Sequence, residues 1–174
     1  LFKAMLHRSH LSGTLQNYSP ERWIKTAYEE MNSVFRGFDG SMLVSFAMGL
    51  LDETTGVVYF VQAEHPAGVI FENGKARFLS LDDQLMKLGT PTEDRPLRIK
   101  VFRLNPGQVF IMGSDGRDDI LVDSGDGPKM NTDERKFLEV VERSNGNLKA
   151  MHEVLKSKGE ISDDLSLMSI SFDG

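Results

Sequence analysis

The 174-residue chain contains no cysteine, which excludes disulfide scaffolds, thiolate zinc sites and cysteine nucleophiles together. It also lacks a membrane-length apolar run. The longest, residues 42–51, is interrupted by Ser45 and Gly49 and is half the ~20 residues that a spanning helix needs. Positive charge is in deficit, with 20 Lys and Arg against 26 Asp and Glu for a formal net charge of −6. That balance argues against nucleic acid and against an anionic membrane surface, and favours cationic partners or bound cations. The 16 Gly and 6 Pro follow no collagen-like or low-complexity period. No Gly-x-x-x-x-Gly-Lys phosphate loop, Gly-x-Ser-x-Gly elbow or His-Glu-x-x-His helix occurs. An initiator Met and a signal-peptide layout are missing too; residues 1–6 read as the inside of a helix, so a piece of a longer protein is expected.

What is present is a globular pattern, 40% hydrophobic, of a length that predicts one domain over residues 1–174. A helix is expected over 1–12, with Phe2, Met5 and Leu6 on one side. A second is expected from Pro20 to near Gly37, capped by Ser19, with Glu21 at the positive end of its dipole and Trp23, Ala27, Met31 and Val34 at helical spacing. Residues 41–51 and 57–63 read as strands around a turn at 52–56, and 68–72 and 75–79 as a hairpin around Asn73-Gly74. Strands follow at 98–104 and 108–113, joined by Asn105-Pro106-Gly107. A third helix capped by Thr132, a fourth over 147–158 stopped by Gly159, and a closing strand over 165–172 complete the pattern. The strands are expected to pair in sequence order. Helix pairs at both ends of an antiparallel series predict an α+β sandwich with helices on the sheet faces.

Histidine offers little: His7 and His10 read as a solvated helix face, His65 as a turn-fixing residue and His152 as a helix surface residue. The carboxylates say more. Asp115, Asp118, Asp119, Asp123 and Asp126 fall within one short stretch relieved only by Arg117. A solvated acidic loop is one reading of it, whereas an EF-hand is excluded by the spacing. Asp115 directly follows a buried strand, and Asp163 and Asp164 directly precede the last one. If those strands are antiparallel neighbours, these carboxylates converge at one sheet edge, where their repulsion favours a bound cation. Hard divalent ions such as Mg²⁺ or Mn²⁺ take oxygen ligands and need neither Cys nor His.

Three segments, Ala63-Glu64-His65-Pro66, then Leu104-Asn105-Pro106-Gly107-Gln108 running into Gly113-Ser114-Asp115-Gly116, and finally Ser162-Asp163-Asp164-Leu165-Ser166-Leu167, stand in an order and spacing that resembles the bacterial SpoIIE/RsbU-type branch of the PPM (PP2C-like) metal-dependent serine/threonine phosphatases. The resemblance implies an α-β-β-α sandwich with a two-metal Mn²⁺ or Mg²⁺ centre at one sheet edge, for which Asp115, Asp163 and Asp164 are the expected ligands. It implies in-line attack of a metal-bridging water on phosphoserine or phosphothreonine, with no covalent phosphoenzyme. The implied partner is a phosphorylated regulatory protein of the anti-sigma-factor antagonist type, met in the cytoplasm by the output domain of a multidomain or membrane-anchored sensor. Residues 1–36 correspond to the family's switch and dimerisation helices, which implies a homodimer surface there. Glu64 stands where the family has Gly, Gln108 where it has Asp, and Ser114 and Ser166 where it has Thr. The family's two further aspartate motifs belong upstream of Leu1, so this chain holds an incomplete centre. The alternative is a catalytically incomplete sensor or dimerisation module of the same fold.

Overall fold

The computed structural model describes residues 18–80, 85–91, 97–123 and 127–173. The helix expected over 1–12, with His7 and His10, lies outside the described residues. The chain divides into two compact units that interleave in sequence: Leu1–His65 with Leu81–Arg103, and Pro66–Ser80 with Leu104–Gly174.

In the first unit, helix α1 (Pro20–Arg36) starts where the sequence places it. The Ser19 side chain accepts a hydrogen bond from the Arg22 amide, Pro20 occupies the first helical position and Gly37 is the C-cap. Trp23, Ile24, Ala27 and Met31 form its buried stripe. They pack in one cluster with Met48, Val61 and Leu88, and each large side chain so buried contributes about 1.5–3 kcal/mol. Beneath it, β1 (Phe46–Leu51), β2 (Val57–Ala63) and β5 (Lys100–Arg103) form an antiparallel sheet in the order β1-β2-β5. Phe46 stands opposite Ala63, and Val57 opposite Arg103.

The β1–β2 turn is set by Asp52, whose Oδ1 accepts from the Thr54 amide at 2.9 Å and from the Thr54 hydroxyl at 2.6 Å. These bonds, with further help from Thr55, hold the Asp52 carboxyl down at about 2, below its ordinary value of 3.8. A depressed folded-state pKa stabilises the fold above the ordinary carboxylate range and is lost as pH falls toward 2. An NMR titration is therefore expected to place the Asp52 midpoint near 2, and Asp52→Asn to remove that part of the acid-unfolding slope. A midpoint near 4, the ordinary carboxylate value, would show that the Thr54 bonds do not persist in solution.

The second unit holds β3 (Val69–Glu72), β4 (Lys75–Phe78), β6 (Val109–Gly113) and β10 (Leu167–Ser171) in a sheet ordered β10-β6-β3-β4. The β3–β4 hairpin turns on Asn73 and Gly74, with φ of 50° and 77°, the left-handed pair that a two-residue turn of this kind demands. Helices α2 (Arg135–Arg143) and α3 (Leu148–Lys158) supply Phe137, Val140, Val141, Met151 and Leu155 to a core with Val69, Phe71, Ile111 and Ile120. The Glu142 carboxylate accepts from the Ala76 amide at 3.0 Å and ties α2 to the hairpin. A short sheet, β8-β7-β9, is made of β7 (Ile120–Asp123), β8 (Pro128–Met130) and β9 (Glu160–Ile161).

The α+β class read from the sequence, with antiparallel strand pairs and helices, is the class found. Three details differ. The strands do not pair simply in sequence order: β2 pairs with β5 while β3 pairs with both β4 and β6. The third helix begins at Arg135, not after Thr132. Asn131 and Asp133 each turn the backbone by accepting from the amide two residues ahead, and such local bonds compete with the first helical turn. The small sheet was unexpected, because Ile120-Leu121-Val122 is a short apolar island in an acidic stretch.

Candidate metal centre

The site is built where β6 hands over to a single 3-10 turn, Asp115–Arg117. The Asp115 carbonyl accepts from the amides of both Asp118 and Asp119, at 2.7 and 3.0 Å. That curl puts residues four apart on one side. Asp115 and Asp119 project together, whereas Arg117 turns into the core.

The strand pairing brings up the third carboxylate. β10 runs antiparallel to β6 with Leu167 opposite Gly113, so the loop that carries Asp163 enters beside the loop that carries Asp115. Side chains then fasten the two. Ser114 Oγ donates to the Asp164 carbonyl at 2.9 Å and accepts from the Ser166 amide at 2.9 Å. On the other flank, the amide and hydroxyl of Ser162 both donate to the Asp119 carbonyl, at 3.0 and 2.9 Å. Gly116 lets the strands' ends come this close: a Cβ there would lie 2.6 Å from the Asp164 carbonyl oxygen.

Asp115, Asp119 and Asp163 each offer a carboxylate oxygen, and the three oxygens lie within 4.8 Å of one another. Asp115 and Asp163 are exposed and Asp119 is half-buried. Asp163 Oδ1 accepts from the Asp164 amide at 2.7 Å, which orients that carboxylate. Asp164 stands next to the group but is not one of the three, and its carbonyl serves the Ser114 clamp. The donor set suits a hard divalent cation: only oxygens, like charged, and without a Lys or Arg partner among the described residues. Asp119 was missed in the sequence, although its spacing from Asp115 is the signal for a shared helical face. Asp126 lies outside the described residues and Asp123 closes β7.

Asp118 belongs to the interior. Its Oδ2 accepts from Arg117 Nε at 3.0 Å, and the Arg117 side chain is fully buried. The guanidinium carbon sits 4.4 Å from the centre of the Phe137 ring. Burial pushes the Asp118 carboxyl above its ordinary value and the Arg117 guanidinium below its own, and in each case the partner's charge opposes the shift. The acidic stretch thus divides into an outward set and a buried ion pair. His65 and His152 stand elsewhere: the His65 carbonyl accepts from Gln62 at 3.1 Å, and His152 Nδ1 lies 3.5 Å from Glu153 on α3.

The family model described as Stage II sporulation protein E (SpoIIE) matches residues 2–173. No curated protein sequence gives a significant match. Among solved structures, the RsbU and RsbW domains of a Mycobacterium tuberculosis protein align over 97% of this chain at 19% identity and a TM-score of 0.68. The SiaA-PP2C domain of Pseudomonas aeruginosa aligns over 84% at 18% identity and a TM-score of 0.66. The phosphatase domain of SpoIIE from Bacillus subtilis aligns over 100% at 17% identity and a TM-score of 0.53, with 74% of that chain covered. The first two are covered to only 45% and 59% of their own length. At these identities the likeness is one of fold.

Proposed function

The chain belongs to the SpoIIE family, as a domain of the SpoIIE/RsbU-type PPM class, and on that premise we propose that it is the catalytic domain of a divalent-metal-dependent protein serine/threonine phosphatase. The observation that carries this reading is the convergence of Asp115, Asp119 and Asp163 at one edge of the second unit. Those three carboxylates would hold Mn²⁺ or Mg²⁺, with Asp164 alongside. The chemistry such cations supply is neutralisation of phosphoryl charge and activation of water.

The chain's own residues set up the rest. The Ser114 and Ser162 clamps hold the Asp163 loop against the Asp115–Asp119 turn, so the carboxylates are positioned before any ion arrives. A site already in place loses little free energy to reorganisation on binding. The exposure of Asp115 and Asp163 leaves the centre open to a phosphorylated side chain on another protein. A phosphorylated regulatory protein of the anti-sigma-factor antagonist type is the substrate this family reading favours. The cytoplasm is the compartment that goes with it. Residues 1–36 are the proposed surface for a second copy. Among the described residues no helix is long and apolar enough to cross a membrane.

The test is calorimetric titration of the chain with Mn²⁺, followed by phosphate release from a phosphoserine protein by the complete domain, with the aspartate motifs expected upstream of Leu1, in Mn²⁺ or in EDTA. Saturable binding with release only in Mn²⁺ is the expected result. Binding without release would favour the sensor or dimerisation module, and no binding would overturn the metal assignment.

A further inference from the structure

The clamp that fastens the Asp163 loop to the Asp115–Asp119 turn has a thioether for a neighbour. Ser162 Oγ, which donates to the Asp119 carbonyl at 2.9 Å, also lies 3.8 Å from the sulfur of Met130. A hydroxyl has one proton to give. The carbonyl holds it here, because its oxygen is the nearer of the two and a thioether is a weak acceptor.

Met130 combines a fixed backbone with an open side chain. It closes β8 opposite Leu121 of β7, and the next amide, that of Asn131, donates to the Ile120 carbonyl at 2.9 Å. The residue itself is 46% exposed, whereas Met31, Met48 and Met151 are buried in the two cores. Exposure decides which methionines an oxidant reaches. Met42, Met86 and Met168 are open as well, but of these four exposed methionines Met130 is the one whose sulfur meets the clamp.

We propose that Met130 is a reversible oxidation site whose sulfoxide draws the Ser162 hydroxyl off the Asp119 carbonyl and so loosens the carboxylate centre. Hydrogen peroxide transfers one oxygen atom to the sulfur: the O–O bond breaks, an S–O bond forms, the sulfur gives up two electrons and the peroxide leaves as water. The new oxygen is polar, stands one bond out from Sδ, and rides on a side chain with three rotatable bonds. It therefore reaches a hydroxyl that the sulfur already touches. The Asp119 carbonyl then keeps the Ser162 amide, at 3.0 Å, but loses its hydroxyl donor. Asp119 is one of the three carboxylates that converge, so the backbone that positions it slackens without being released. Methionine sulfoxide reductases restore the thioether, which makes the change a switch and not a lesion. The consequence for metal rests on reading the trio as a cation site; the oxidation and the exchange of hydrogen bonds do not.

The test is NMR of the chain in EDTA before and after hydrogen peroxide, reading the carbonyl ¹³C shift of Asp119, with peptide mass mapping to score the oxygen added at each methionine. Mn²⁺ calorimetry follows on the same samples. Met130 is expected to gain its oxygen at the pace of Met168, and the Asp119 carbonyl to move upfield as its hydroxyl donor leaves. The Mn²⁺ dissociation constant is expected to rise about fivefold, the weight of one net hydrogen bond. Met168→Leu should respond as the parent chain does, whereas Met130→Leu should show neither change. Sulfoxide reductases with a thiol reductant should reverse both changes in the parent. An unmoved carbonyl in a chain fully oxidised at Met130, or an equal shift in Met130→Leu, would overturn the inference. A moved carbonyl with unchanged Mn²⁺ affinity would overturn its coupling to the centre. Failure of treated and untreated chains alike to bind Mn²⁺ would count against the metal reading alone, since the measurement in EDTA reads the hydrogen bond without it.

Discussion

Asp115→Asn is expected to have opposite effects with and without metal. In EDTA the variant should be slightly more stable than the parent chain. Three carboxylate oxygens within 4.8 Å of one another repel, and removing one charge from a largely exposed trio relieves about 0.5–1 kcal/mol. For a domain of this size that is roughly 1–4 °C in Tm. In Mn²⁺ the order should reverse. The parent chain gains about 2.7 kcal/mol when the ion is present at a hundredfold excess over its dissociation constant. Asp115→Asn, lacking one oxygen ligand, should lose at least about 100-fold in affinity, since even residues behind the ligands cost 10–100-fold, and so gain almost nothing. In the complete domain, phosphate release should fall below about 1% of the parent rate.

The crossing is what makes the measurement informative. A merely solvated acidic loop would show the first effect and not the second, because any charge removal relieves repulsion. A misfolded variant would lose stability in both buffers. Asp119→Asn and Asp163→Asn should follow the same pattern. Equal Mn²⁺ stabilisation of parent and Asp115→Asn would sink the assignment.

How much of this could be read before the fold was known depends on which interactions are local. The cap at Ser19 and the left-handed pair Asn73-Gly74 are written in neighbouring residues, and the structure follows them closely. The convergence of Asp115 with Asp163 was legible as a condition, since one strand ends where the other begins and only antiparallel pairing was needed. Asp119 was legible in principle, but its spacing has meaning only once the residues after Asp115 are known to curl into a single turn. The role of Arg117 was not legible. Nothing in Asp115-Gly116-Arg117-Asp118-Asp119 says that the one cation points inward, because its burial is decided by Phe137, from a helix distant in sequence. The order β10-β6-β3-β4 was hidden for a related reason: partner choice among strands is set by packing across the whole unit, not by the strands' own patterns.

Arg117→Met is expected to be the most destabilising single change near the centre. It leaves the Asp118 carboxylate, whose side chain is 17% exposed, without the cation that justifies its burial. Breaking one half of a buried pair costs about 3–5 kcal/mol, and the residual exposure of Asp118 puts the estimate near 3. The stacking of the guanidinium on Phe137 is lost as well, worth about 0.5–2 kcal/mol, though the Met side chain refills part of that space. Arg117→Met/Asp118→Leu should return to within about 1 kcal/mol of the parent chain, since replacing a buried ion pair by apolar groups of similar size is often neutral. The coupling energy in this cycle is thus expected at no less than about 2 kcal/mol, and larger by whatever Asp118→Leu alone costs. Denaturant unfolding of the four proteins in EDTA measures it. Mn²⁺ affinity should fall in the single variant, where the Asp115–Asp119 turn loses its inner anchor, and recover in the double. If instead the single and double variants are equally unstable, the pair is not coupled, and the turn is held by the serine clamps alone.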